Sequence, residues 1–437
     1  MRRIWLVLLL LPLTLASAAA FDFGGYLDNT SGFARAPAGV ETTLRLVQRT
    51  TVALWAEQKL GAWTLAGQGS YTYTPNVPLL FDLDRLTLGT EVPATAAGAT
   101  AFGLSLGRSH FTDPTGLVLS HTLDGLRLRV SRMQSTFRFA IGTTALLQKP
   151  TNRIILSRLD ELDLADPERR FAPPRLIAVV DYEWLEAFAG QQVTLGATVQ
   201  EDLRPADQLT PAGTEATTPD PEAGGRLDTQ YVSLVVSGAV APGVFQRTYY
   251  TLNSGRQLVF AVDDRSSTGF SYQYETLLGH LAGTEITWFL PEVLNSRARL
   301  FGQFSTGDTE WSDSFVPISP SAFSDVFTLQ PGNSAHLGIS YSVRPLAGRR
   351  SDVLQTELST VAYFRSSGSG AVSVAAVDPT TDGSYAGTDV NLTVTAVPFS
   401  DLRLVLKGGL FAPNKDVMGP ENKNVEYQVT LQGVLRF

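Results

Sequence analysis

Arg127 and Arg129 stand two apart in "GLRLRVS", and Arg138 follows in "TFRFAIG" just past the short stretch "MQST". Side chains two apart on a strand share a face. If both stretches are strands joined by a tight turn, the three guanidinium groups form a ladder across two neighbours. Arginine offers planar, paired donors that match carboxylate, phosphate or sulfate. This is chemistry for holding anions, not for breaking bonds. Catalytic groupings are poor by comparison. The only histidines are His110, His121, His280 and His336. Ser109–His110 and Ser120–His121 are chain neighbours, and on a strand such neighbours point to opposite faces. His110 and Asp113 make the one conceivable acid–base pair. There is no cysteine and no H-E-x-x-H, and the acidic stretch lacks the order of a calcium loop. No enzyme, metal or cofactor is expected.

The elements that would carry the arginines repeat one pattern. In "QVTLGATVQ", Val193, Leu195, Ala197 and Val199 oppose Gln192, Thr194, Thr198 and Gln200. "GFSYQYE" and "HLGISYSV" alternate in the same way, and "RLDELDLADPERR" is the only tempting helix. Period-two alternation predicts strands with one apolar and one polar face. Connections alternate as well. Short ones fall at 59–61, 133–135, 187–190, 240–243, 291–295, 344–350 and 398–400. Long ones fall at 109–121, 148–174, 203–227, 305–333, 366–383 and 412–423. Short turns at one end and long loops at the other are the layout of a transmembrane β-barrel. The expected fold is all-β: one antiparallel up-and-down barrel of 18 strands (16 to 20), with short periplasmic turns and long extracellular loops. Strand number is least determined between Thr251 and Leu281.

Both ends of the chain agree with that fold. "MRRIWLVLLLLPLTLASAAA" has a charged start, an apolar run from Ile4 to Leu13 and a small-residue stretch, which predicts a secretory signal at 1–20 and a mature barrel at 21–437. Removing that leader takes two of the 34 Lys+Arg, leaving 32 against 42 acids, a net charge of −10. An acidic chain with no basic cluster argues against nucleic acid. Mean hydropathy is +0.03, and no later stretch could form an apolar spanning helix. At the other end, "NVEYQVTLQGVLRF" puts Tyr427, Leu435 and Phe437 on an apolar parity. It should close the sheet against "FDFGGYLDNT", because an open edge in lipid leaves backbone groups unpaired. A terminal Phe on such a strand resembles the assembly signal of bacterial outer-membrane barrels. The expected location is therefore the outer membrane, with membrane lipid, lipopolysaccharide and the barrel assembly machinery as partners.

In such a barrel the polar parity faces the lumen. That rule assigns Arg45, Arg49, Arg85, Arg127, Arg129, Arg138, Arg297, Arg299, Arg403 and Lys407 to the pore lining, with Arg436 near the periplasmic end. The inward acids by the same rule are Asp181, Glu183, Glu275, Glu357, Asp389 and Glu426. Basic positions outnumber acidic ones by roughly two to one, so the lumen reads basic although the chain is acidic. The implied function is a channel for small or anionic hydrophilic solutes. A plugged barrel serving as an adhesin or structural surface protein is the alternative, and it would pair its arginines stoichiometrically with acids. The acidic segment 148–174, with Asp160, Glu161, Asp163, Asp166 and Glu168, is expected to be a solvated surface loop. The other option is an inward fold that sets an acidic wall against the arginines.

Two segments resemble alginate-export-type outer-membrane porins. "LGRSHFTDPTGLVLSHTLDGLRLRV" carries Gly107-Arg108, then Asp124-Gly125 leading to Arg127, and "LFGQFSTGD" carries Gly307-Asp308. The tryptophan and further arginines usual in that family's loop are absent between Phe111 and Thr122. The resemblance implies an 18-stranded pore, with export of an anionic polysaccharide in the namesake and general solute uptake in many relatives.

Overall fold

Alternating segments of this length cannot bury both faces alone, and the chain satisfies them by closing a sheet on itself. The computed structural model describes residues 21–35, 44–94, 99–220, 222–309, 312–319, 324, 326–327, 329–346, 353–367, 377–419 and 424–437. The expected leader lies outside them. Strands β1 (Phe21–Arg35), β2 (Leu44–Leu60), β3 (Trp63–Tyr73), β4 (Leu80–Val92), β5 (Thr100–Thr112) and β6 (Ser120–Arg132) form one third of the wall. The next third is β7 (Ser135–Thr143), β8 (Arg175–Phe188), β9 (Gln191–Asp202), β10 (Asp228–Ala241), β11 (Val244–Val262) and β12 (Phe270–Leu290). Strands β13 (Ser296–Ser305), β14 (Ser334–Val343), β15 (Leu354–Phe364), β16 (Tyr385–Phe399), β17 (Leu402–Pro413) and β18 (Glu426–Arg436) complete it. Each pairs antiparallel with its sequence neighbours, and β18 pairs with β1 from Arg436↔Tyr26 to Tyr427↔Arg35. The sheet has 18 strands and no free edge, which lipid requires.

Burial is inverted relative to a water-soluble sandwich. Leu54, Phe81, Leu195, Val232, Ile339 and Leu431 are exposed, whereas Gln200, Thr229, Thr251 and Asn253 are fully buried. The apolar parity faces outward and the polar parity inward, as a lipid-embedded barrel demands. No helix among the described residues is long and apolar enough to cross a membrane.

The connections sort by end. Two-residue turns join β2 to β3 and β10 to β11, where Gly61 (φ +64°) and Gly243 (φ +74°) supply left-handed backbone. At the other end lie L3 (113–119), L4 (144–174), L5 (203–227), L7 (306–333), L8 (365–384) and L9 (414–425). The uncertain stretch 251–281 resolves into two long strands and the turn between them. Arg256 still faces Asp228 of β10, and Leu281 is the last β12 residue to face β13. Gln257–Val262 and Phe270–Glu275 pair with each other as a ribbon standing above the barrel, and L5 joins its edge through a bridge from Glu215 to Ser271. The one tempting helix is real: α1, Arg158–Ala165, lies in L4.

Candidate functional site

The lumen wall can be traced from the side chains that meet across it. Phe111 of β5, Leu123 of β6, Ile177 of β8, Tyr231 of β10 and Leu281 of β12 form one buried cluster with Val118 and Leu119 of L3, Ile154 of L4, and Phe315 and Ile318 of L7. Such distant strands meet only through the interior, so their parity is the lumen parity. Arg127 and Arg129 share the face of Leu123, and Arg129 stands directly opposite Arg138. The ladder expected from spacing is there.

Nine of the ten basic positions divide into two sets. Arg138 binds Asp181 at 2.7 Å and also Glu183, Arg297 meets Glu357 at 3.3 Å, and Arg299 meets Glu285 at 3.0 Å. Arg45, Arg49, Arg85, Arg127, Arg129 and Arg403 are exposed and make no ion pair among the described residues. Their hydrogen bonds are to neutral groups, such as Arg127 to the His110 carbonyl at 3.2 Å and Arg129 to Ser131 at 3.2 Å. Lys407 is half-buried on β17. The unpaired arginines thus occupy the arc from β17 through β1 to β6.

Acids depart further from expectation. Asp181, Glu183, Glu357, Asp389 and Glu426 lie on the lumen parity; Glu275 has the parity of Leu281 but stands opposite Gln257 in the ribbon, beyond the stretch of β12 that pairs with β13. Other inward acids were missed. Asp28 accepts both bonds from the Gln432 amide at 2.9 Å, and Asp84 accepts from Gln68 at 3.1 Å and Ser70 at 2.9 Å. Glu285 and Glu91 share that face. Asp28 was readable, since Phe23 and Leu27 set the outward parity of its strand. Asp84 was not, because a bulge at this point shifts the β3–β4 register and breaks strict alternation. The two-to-one basic surplus therefore does not hold for the whole lumen. What holds is a local surplus of unpaired arginine on one arc.

Parts of L3, L4 and L7 pack into the interior. In L3 the buried Asp113 carboxylate gathers four donors: Thr115 N at 2.8 Å, Thr115 Oγ1 at 2.5 Å, Val118 N at 3.1 Å and Leu119 N at 2.9 Å. Asp113 is thereby committed to shaping the loop and is no partner for His110. His110 Nε2 instead lies 3.2 Å from Ser120 Oγ, a contact between strands that sequence neighbours could not reveal. Gly196 makes room for Pro114, since a Cβ there would sit 2.4 Å from the ring. L7 crosses to meet L3: Ile318 N and Ser319 N donate to the Val118 carbonyl at 2.9 and 3.0 Å, and Ser120 N donates to Ser319 Oγ at 2.7 Å. Tyr231 holds L7 by donating to the Val316 carbonyl at 2.6 Å. Further along, Phe327 of L7 stacks on Phe411 at 4.1 Å, within a second cluster that takes in Tyr363, Val377 and Met418.

L4 is not the solvated loop expected. Asp160, on α1, is fully buried between Arg175 at 2.7 Å and Arg204, which also binds Asp163 at 2.8 Å and Asp202 at 2.5 Å. Burial alone would raise the Asp160 pKa, but Arg175 and Arg204 outweigh it and hold the carboxyl below its ordinary 3.8. Asp160 and Asp163 are thus held by these arginines, Glu161 pairs with Arg158 and Asp166 with Arg169 inside L4, and Glu168 is exposed.

The architecture has solved counterparts. Similar structures from Pseudomonas aeruginosa include OccK2 (OpdF) in complex with glucuronate, at 11% identity and TM-score 0.56, covering 95% of this chain and 98% of that one. OpdO matches at 12% identity and TM-score 0.57, with 95% and 96% covered. A variant of OccD1 (OprD) matches at 11% and 0.54, with 97% of each chain covered. The fold is that of an outer-membrane porin. No family model and no curated protein matches the chain. The resemblance to alginate-export-type porins is not upheld, as the porin neighbours are of the OccK and OprD kind. Its motif residues have local structural duties. Arg108 clamps Asp124 at 2.8 and 2.7 Å, and a Cβ on Gly107 or Gly125 would collide with the next strand's backbone. Gly307 leaves room for Asn333, and Asp308 accepts from Ser314 N at 2.7 Å.

Proposed function

We propose that this protein is an outer-membrane channel passing small hydrophilic anions, carboxylates foremost, along an arginine-lined arc beside its in-folded loops. One observation carries the reading: Arg45, Arg49, Arg85, Arg127, Arg129 and Arg403 are exposed, without acid partners among the described residues, and belong to neither loop-packed cluster. Guanidinium groups beside a low-dielectric wall raise the local anion concentration and guide it through. That a neighbour of the same fold was solved with glucuronate, a carboxylate sugar, supports the choice of class. Export through a cleaved leader, contact with lipopolysaccharide and recognition of Tyr427, Leu435 and Phe437 by assembly machinery belong to the same proposal.

The plugged barrel is the second reading, and the L3–L7 junction at Val118 and Ile318 favours it. Planar-bilayer recording of residues 21–437 under a salt gradient separates the two. The channel reading expects steady conductance with a reversal potential favouring chloride, weakened when Arg49, Arg127 and Arg129 are together replaced by glutamine. Cation selectivity would remove the anion claim, and a folded barrel without conductance would establish the plug.

A further inference from the structure

Most of the outward parity is apolar, but a small polar group joins Gln246, Thr248 and Thr284 on β11 and β12, and a larger patch of four polar residues lies on β1 and β2. Leu27 faces Val52 on that surface, so Asn29 and Thr50, and then Ser31 and Gln48, share it. Exposed Phe33, Leu44 and Leu46 lie beyond the patch on one side, and Leu27 and Leu54 on the other. Leu431 of β18 and Tyr73 of β3 continue its rows. The patch therefore sits inside the apolar belt.

Its four side chains bond to one another. Asn29 Nδ2 donates to Thr50 Oγ1 at 2.8 Å, and Gln48 Nε2 donates to the same oxygen at 3.3 Å. Ser31 Oγ lies 2.7 Å from Gln48 Oε1 and 3.0 Å from Asn29 Oδ1. Each amide nitrogen carries two hydrogens and uses one here, and the Thr50 hydroxyl accepts twice with its own proton unassigned. Hydrocarbon offers no acceptor for the remainder. The flanking strands carry small residues as well as the large ones just named, with Gly433 directly beside Asn29. Gly433 and Gly408 on one flank, and Gly67 and Gly69 on the other, are on the outward parity, and a Cβ on any of them would meet nothing closer than 3.5 Å. Glycine beside a polar side chain, as Gly433 is beside Asn29, lowers the surface there and lets a second membrane surface approach.

We propose that this face, from β17 to β3, docks a second copy of the same chain. Carboxamides supply donor and acceptor together, so Asn29 and Gln48 can each complement their own counterparts across a two-fold axis. No charge on the patch opposes the pairing.

The chain has no cysteine, so single cysteines report cleanly. Val52→Cys lies beside the tetrad and leaves it intact, while Leu195→Cys sits on the outward face half-way round the barrel. Both would be treated with a short bis-maleimide in outer-membrane vesicles. The expected result is a species of twice the mass, containing only this chain, for Val52→Cys and not for Leu195→Cys. Adding Asn29→Leu and Gln48→Leu should cut its yield several-fold while the barrel still folds, since leucine is what neighbouring outward positions carry. Equal yields at the two cysteines, or a crosslink to a different protein, would overturn the proposal. Conductance plays no part in the readout, so failure here is distinct from failure of the channel reading.

Discussion

Arg204 shows how much can depend on one side chain in the mouth of this barrel. It is 1% exposed and binds Asp160, Asp163 and Asp202, while Arg175 shares Asp160. Burial by itself would lower its pKa, but the carboxylates, Asp160 first, reverse that and raise it. Truncating one partner of a buried ionic group leaves charge uncompensated, a loss of about 3–5 kcal/mol. Arg204→Ala should therefore release L4 and α1 without unfolding the strands, visible as fast hydrogen exchange confined to 157–170. Exchange spread over the whole barrel would refute a local role. The pH dependence follows from the lowered Asp160 pKa. Its stabilising contribution is present above the unfolded value of 3.8 and is lost as pH falls through the still lower folded value. Protection of 157–170 should thus persist down to about pH 4 and fade below it. The acids of L4 were plain in the sequence, but Arg175 and Arg204 lie on different elements and only the fold brings them to Asp160.

At the scale of elements, alternation was legible because lipid requires an apolar outward parity, and connection length because long loops gather at one end of such a barrel. The in-folding of L3 and L7 was harder to read, since the chain does not say which way a loop turns. A signal existed nonetheless. "GLVLS" and "SFVPIS" are apolar stretches inside loops, and Val118, Leu119, Phe315 and Ile318 are now among the most deeply buried residues. Their packing predicts a mechanical role. Ile318→Ala removes buried methyl groups at a cost of about 2–5 kcal/mol, and Tyr231→Phe removes the bond to Val316, worth about 0.5–1.5 kcal/mol. Loosening the L3–L7 junction should raise single-channel conductance and current noise relative to the unaltered chain. Unchanged conductance would mean that the junction does not limit flow.

For the molecule as a whole, closure runs along the β1–β18 register from Tyr26↔Arg436 to Arg35↔Tyr427, and Phe437 extends it by one more pair. Phe437 exchanges two backbone hydrogen bonds with Gly25, at 2.8 and 3.0 Å. A Cβ on Gly25 would stand 2.6 Å from the Ala53 carbonyl and 2.8 Å from the Phe437 ring, and one on Gly24 would stand 2.8 Å from the Phe437 carbonyl. The pair of glycines lets the terminal residue lie flat against β1. Pairing of the two ends was expected from the alternation of "NVEYQVTLQGVLRF"; the need for glycine was not, because it depends on which backbone comes near. Two variants separate geometry from recognition. Gly25→Val should lower the fraction of heat-modifiable, folded barrel both in cells and on refolding into lipid vesicles, since the clash is the same in either setting. Deleting Phe437 removes two bonds at the seam, about 1–3 kcal/mol together, and should cost little in vesicles. If assembly machinery reads the terminal aromatic ring, the deletion should cost far more in cells. Equal losses in the two settings would instead make Phe437 a seam residue alone.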